Sequence, residues 1–167
     1  MDQVHCWTDG GCRGNPGPGA WAFLMVDPRS GKAIERTGGE RETTNNRMEM
    51  QGAIQALLAL KQPGTSVLIQ SDSRYLIDCC TTWMAGWKRN GWKRKEGPLK
   101  NVDLLQELDR LHVVHRVTWR WVKGHAGDPG NEHVDALLNA AMDRLACGRP
   151  AAHERHLTWR DGREVKA

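Results

Sequence analysis

Apolar and polar positions alternate along residues 4–9 and stop at Gly10-Gly11, after which residues 14–19 are glycine, asparagine and proline only. That pattern predicts a β-strand running into a tight loop. An apolar run over 21–26, the turn signal Asp27-Pro28-Arg29-Ser30-Gly31 and a second run over 32–38 extend it into an antiparallel meander. The period then changes to that of a helix. Thr43, Thr44, Asn45 and Asn46 offer N-caps, Met50, Ala53, Ile54, Leu57 and Leu60 recur at helical spacing, and Pro63-Gly64 ends a helix expected over 47–61. Residues 66–71 are a short apolar and β-branched run, which a right-handed helical crossover would set parallel to the first strand.

One or two short helices are expected over 73–87, and from 88 to 100 periodicity gives way to charge, predicting a protruding basic loop. Asn101 is the expected cap of an amphipathic helix whose stripe is Leu104, Leu105, Leu108 and Leu111. Alternation over 117–122 predicts a fifth strand, the glycine-rich stretch 124–130 a loop, and 131–145 a last helix. Residues 148–167 are polar and without period, and read as a loosely held, flexible tail. The expected fold class is therefore α/β, with a five-stranded mixed sheet, antiparallel meander first and parallel strands after, flanked by helices.

Composition narrows the chemistry by exclusion. A chain of 167 residues, 39% hydrophobic and 26% charged, fits one globular domain, and no apolar run approaches the ~20 residues of a membrane span. A cytoplasmic protein that does not contact membrane is the expectation. Five cysteines, with neither a CxxC pair nor a regular framework, argue against structural zinc or a disulfide scaffold. The glycines of 10–19 are not followed by the Lys-Ser/Thr of a phosphate loop, which disfavours nucleotide hydrolysis. A net charge of +4 defines no partner by itself.

Four carboxylates carry the functional reading. Asp9 and Asp72 fall at the carboxyl ends of strands expected to be adjacent and parallel, where open sheets bind ligands. Glu49 borders the buried stripe of its helix, and Asp135 lies in line with Leu138, Met142 and Leu145 on the last one. Each acid alone has a plain structural explanation: a turn residue, a favourable charge near a helix N-terminus, an N-cap, a solvated helix acid. Convergence of all four at one sheet edge calls for a cation, and hard oxygen ligands suit magnesium or manganese.

The segments Thr8-Asp9-Gly10-Gly11-Cys12-Arg13-Gly14-Asn15-Pro16-Gly17, Thr44-Asn45-Asn46-Arg47-Met48-Glu49, Asp72-Ser73-Arg74-Tyr75, Trp121-Val122-Lys123-Gly124-His125-Ala126-Gly127 and Asn131-Glu132 to Asp135 resemble, in order, the type 1 ribonuclease H family. The resemblance runs from about residue 4 to 146 and implies a catalytic domain over 1–147. It implies a magnesium-dependent endonuclease that hydrolyses the RNA strand of RNA-DNA hybrids through two metal ions, with manganese as a possible substitute, giving 5′-phosphate and 3′-hydroxyl ends. Carried over, Asp9, Glu49, Asp72 and Asp135 are the metal-holding catalytic set, and His125 is an auxiliary catalytic residue. A monomer acting on a hybrid duplex is expected.

The resemblance further assigns substrate contacts to Cys12, Asn15, Thr44, Asn45, Asn46 and Arg74, and to a basic protrusion bearing Trp83, Trp87, Lys88, Arg89, Lys93, Arg94 and Lys95. Cations on phosphates and rings on sugars or bases hold nucleic acid without reading its sequence. Tryptophans spaced i, i+4 are also what a helix face packed into a core looks like, and a run of cations is also a solvated loop. Three departures from the family pattern stand out. Arg74 replaces an uncharged amide, His133 and Ala136 replace an arginine and an acid, and Glu42 sets an acid just before the phosphate-holding stretch. A hybrid-binding module without turnover is the rival reading, and retention of all four acids opposes it.

Overall fold

The computed structural model describes residues 3–166. Three strands, β1 (Val4–Cys12), β2 (Gly17–Val26) and β3 (Lys32–Thr43), form the expected meander, and α1 (Asn45–Ala59) crosses over to β4 (Ser66–Ser71). There follow α2 (Arg74–Asp78), a π-helical turn (Cys79–Trp83), α3 (Met84–Arg89), α4 (Val102–Val114), β5 (Arg116–Trp121) and α5 (Pro129–Ala146). Two further strands, β6 (His153–Arg160) and β7 (Arg163–Glu164), close the chain. The sheet order is β5-β4-β1-β2-β3-β6-β7. β1 is antiparallel to β2 and parallel to β4, which sets Trp7 opposite Gln70 and carries Asp9 and Asp72 to the same edge.

Period-two alternation splits the core between the two faces of the sheet. Cys6, Phe23, Met25, Val67 and Ile69 face α1 and α4, where Met50, Ile54, Leu57, Leu105 and Leu108 meet them. Ala20, Ala22, Leu24, Val26 and Ala33 face α5, against Val134, Leu138 and Ala141. Leu105 and Leu108 are completely buried, and truncating either to alanine costs about 2–5 kcal/mol in such settings. No helix among the described residues is long and apolar enough to cross a membrane.

The sheet has seven strands where five were expected, because residues 153–164, read from sequence within the loose tail, pair instead with the outer edge of β3. The reason the pattern hid this strand is chemical. Arg155 lies opposite Glu35 and His153 opposite Thr37, so the inward face of β6 is polar over half its length and serves a buried acid. Helix α5 starts two residues earlier than expected, with Pro129 in its first turn and the Asp128 side chain accepting from the Asn131 N–H. Asn101 does not cap α4 with its side chain. It sits at φ 61°, and its amide donates instead to the Tyr75 hydroxyl at 3.0 Å.

Candidate active site

Asp9 reaches the site because β1 continues past its pairing with β4, and Glu49 because α1 lies directly on Gly10. A Cβ at Gly10 would stand 2.2 Å from the Met48 carbonyl carbon and 2.4 Å from the Glu49 nitrogen, so only glycine permits this approach. Thr44 begins the helix by accepting the Arg47 N–H at 3.2 Å. Asp72 follows β4 directly. Its Oδ2 accepts from Asn131 Nδ2 of α5 at 3.3 Å, and its carbonyl accepts from the Trp121 indole at 3.1 Å.

One carboxylate oxygen from each of Asp9, Glu49 and Asp72 lies within 4.8 Å of the other two. Asp9 and Glu49 are buried, and Glu49 Oε1 has no hydrogen-bond partner. Burial first, and then the charge of Asp72, pushes the Asp9 carboxyl up to about 7, although the Gly10 N–H donating to its Oδ1 at 2.9 Å opposes the rise. Burial followed by the charges of Asp9 and Asp72 likewise drives Glu49 far above the ordinary range. Three acids pressed together with an orphaned oxygen form a cluster whose repulsion a divalent cation would relieve, and an all-oxygen donor set fits a hard ion.

Asp135 is half-buried and stands outside that triangle, yet close enough for its charge to contribute to the rise at Asp9. His125 is exposed on the loop before α5, with φ 57°, next to a loop glycine, Gly124, whose Cβ would lie 3.0 Å from Asp72 Oδ2. The loop thus runs against Asp72. Sequence reading singled out neither Gly10 as a helix contact nor Asn131 as a partner of Asp72. The signal for the first was the small residue directly after Asp9, and for the second the amide four positions before Asp135.

The remaining residues fall into two groups. Cys12 N–H donates to Asn45 Oδ1 at 2.8 Å, and Asn45 N–H donates to Asn15 Oδ1 at 3.1 Å, tying the glycine-rich loop to the start of α1. Asn46, Trp83, Trp87 and Arg94 line, with Tyr75 and Asn101, a groove of about 590 Å³. The π-helical turn ends at Trp83, whose ring lies 5.8 Å from that of Trp87, and Trp83 is exposed while Trp87 packs partly on the core. Arg89, Lys93 and Lys95 are exposed on the protrusion, whereas Lys88 pairs with Asp109 of α4 at 3.0 Å. Arg74 opens α2 with its guanidinium carbon 4.2 Å from the centre of the Trp121 ring, so the added cation is stacked beside Asp72 and does not float free.

Comparison with known proteins agrees with this architecture. The family model described as RNase H matches residues 1–143. A protein named Ribonuclease H from Bordetella pertussis is 53% identical over 142 residues, covering 84% of this chain and 90% of that one. Ribonuclease HI of Pseudomonas putida is 48% identical over 149 residues, covering 89% and 99%. Among solved structures, LC9-RNase H1, described as a type 1 RNase H with the type 2 active-site motif, superposes with a TM-score of 0.74 at 32% identity, covering 100% of this chain and 79% of that one.

Proposed function

The chain belongs to the ribonuclease H family, and we propose that it hydrolyses the RNA strand of RNA-DNA hybrids internally, leaving 5′-phosphate and 3′-hydroxyl ends. The observation that carries this reading is the triangle of Asp9, Glu49 and Asp72, in which Asp9 and Glu49 are buried and Glu49 Oε1 has no hydrogen-bond partner. Magnesium ions, two in the active complex and replaceable by manganese, would activate the attacking water and neutralise the departing oxygen.

The chain's own residues hold and orient. Asp9, Glu49 and Asp72, joined by Asp135, supply the oxygen ligands, and Asn131 fixes the rotation of the Asp72 carboxylate through its amide. Water attacks phosphorus, the bond from phosphorus to the 3′ oxygen breaks, and that oxygen leaves with a proton. His125 assists that proton transfer or the departure of product from its glycine-flanked loop. Selection of RNA would rest on contacts to its 2′-hydroxyls from polar groups near Gly10 to Asn15, Asn46 and Glu49. The groove of Asn46, Trp83, Trp87 and Arg94 takes the DNA strand, with Thr44 and Asn45 at the adjoining helix start. Little preference for base sequence is expected.

The deciding experiment incubates the protein with matched RNA-DNA, RNA-RNA and DNA-DNA duplexes, with and without magnesium. Magnesium-dependent cleavage confined to the RNA of the hybrid is expected. Tight hybrid binding without turnover would replace the enzyme by a binding module.

A further inference from the structure

The C-terminal hairpin of β6 and β7 lies beyond the segment matched by the family model, yet three separate contacts join it to the first turns of α5. The first is an ionic clamp centred on Glu35 of β3, which is 2% exposed. Glu35 Oε1 accepts from His133 of α5 at 2.9 Å and from Arg155 of β6 at 3.1 Å, while Oε2 accepts from His153 of β6 at 2.7 Å. Arg155 is itself gripped by Glu164 of β7 at 2.5 and 3.0 Å. The second contact is aromatic: His133 stands edge-on to Trp159 of β6, ring centres 5.0 Å apart. The third is steric, since a Cβ at Gly162, in the turn between β6 and β7, would come 3.1 Å from Pro129 Cγ.

A buried carboxylate left without partners is costly, so a clamp of this kind closes in one geometry and resists sliding. From the other side α5 rests on Trp7, close enough that a Cβ at Gly130 would fall 2.2 Å from the indole. The stretch so gripped is the one that matters to the acidic cluster. Asn131, which bonds Asp72, lies two residues before His133, and Asp135 lies two residues after it. Any shift of this helical turn would move both together.

We propose that the C-terminal hairpin is a brace for α5, in which Glu35, His153 and Arg155 are positioning residues that hold Asn131 and Asp135 at the acidic cluster. The inference rests on the reading of Asp9, Glu49, Asp72 and Asp135 as the metal-holding set. It gives a purpose to the polar inner face of β6 and to His133, one of the residues that depart from the family pattern.

The test uses the full chain and the variants Arg155→Ala, Arg155→Lys and Glu35→Gln. Magnesium binding is followed by calorimetry without substrate, and hybrid cleavage is followed against magnesium concentration. Supporting groups around metal ligands typically contribute 10–100-fold to affinity, and Arg155→Ala should raise the magnesium midpoint about tenfold by both readouts. The KM for hybrid should stay near wild type, kcat should recover at saturating magnesium, and Arg155→Lys should restore most of the midpoint. In an Asp135→Asn background, removal of Arg155 should add a smaller shift, because one of the two groups it positions is gone. A lowered melting temperature with an unmoved magnesium midpoint would overturn the brace, as would a shift of equal size in the Asp135→Asn background. Arg155 is at the surface, so its variants carry the test even where Glu35→Gln does not fold. Absence of magnesium binding and cleavage in the wild-type chain would instead remove the functional reading beneath it.

Discussion

Gly10 and Glu49 touch through their backbones, with room for no side chain between strand and helix: a Cβ at position 10 would lie 2.4 Å from the Glu49 nitrogen. The obstacle is main chain, so it cannot swing aside as a flexible side chain would. Gly10→Ala should push α1 away from β1, with a stability loss of about 1–3 kcal/mol or more of the kind overpacking produces, and it should carry Glu49 away from Asp9. Urea unfolding and magnesium titration together check this, and an unchanged midpoint in both would show that the contact yields freely.

The raised Asp9 carboxyl makes stability depend on pH in a definite direction. Its folded value is about 7 against an ordinary 3.8, so between those values the folded chain keeps a proton that the unfolded chain has released. That contribution to stability is complete below about pH 4 and is lost as pH rises towards 7, the opposite of a salt-bridged acid. Asp9→Asn should flatten the decline and, above pH 7 without divalent ions, be more stable than wild type. Cleavage should vanish in the same variant, and magnesium should stabilise wild type far more than it stabilises Asp9→Asn. Thermal unfolding at pH 5 and pH 8, with and without magnesium, gives the four values required for each protein. A pH-stability curve identical for the two proteins would refute the buried charge.

On the protrusion, the cations differ in what they have to offer. Lys88 is engaged with Asp109, while Arg94 lines the groove beside Trp83 and Trp87. Arg94→Ala should therefore weaken hybrid binding more than Lys88→Ala does, and joint replacement of Arg89, Lys93, Arg94 and Lys95 should reduce the salt slope of binding by about one per lost phosphate contact. Filter binding at several salt concentrations measures both. If the slope stays at its wild-type value, these side chains are solvated and not on phosphates.

The fold and the acidic cluster were legible in the sequence wherever hydrophobic period and crossover rules apply. Asp9 and Asp72 could be brought to one edge because α1 makes β4 parallel to β1, and Glu49 could be turned inward because it borders the stripe of Ala53, Ala56 and Leu60. Strand β6 was illegible for the converse reason. It packs through His153 and Arg155 onto a buried acid, and a period of charges against a hidden partner looks like a solvated tail until both strands are seen together. Asn131 and Gly10 escaped in the same way, since their roles lie in a contact with a distant element and leave no local pattern. Asp135, expected from its line on α5, lies beside the triangle of the other three acids, and its charge adds to the rise at Asp9.

His125 separates chemistry from metal holding. It lies exposed at φ 57°, next to Gly124, which packs on Asp72, and it is not among the three residues whose oxygens define the cluster. Histidine tolerates that left-handed backbone better than β-branched residues do, and Gly127, two residues on, also takes positive φ, at 88°. An imidazole that moves a proton typically contributes ~10²–10⁴-fold to rate. His125→Ala should lower kcat within that span while the calorimetric magnesium affinity and the KM for hybrid stay near wild type. Loss of a magnesium site in the variant would make His125 a ligand and end its assignment to proton transfer. Undiminished kcat would return it to an ordinary loop residue, and single-turnover kinetics would tell slowed cleavage from slowed product release.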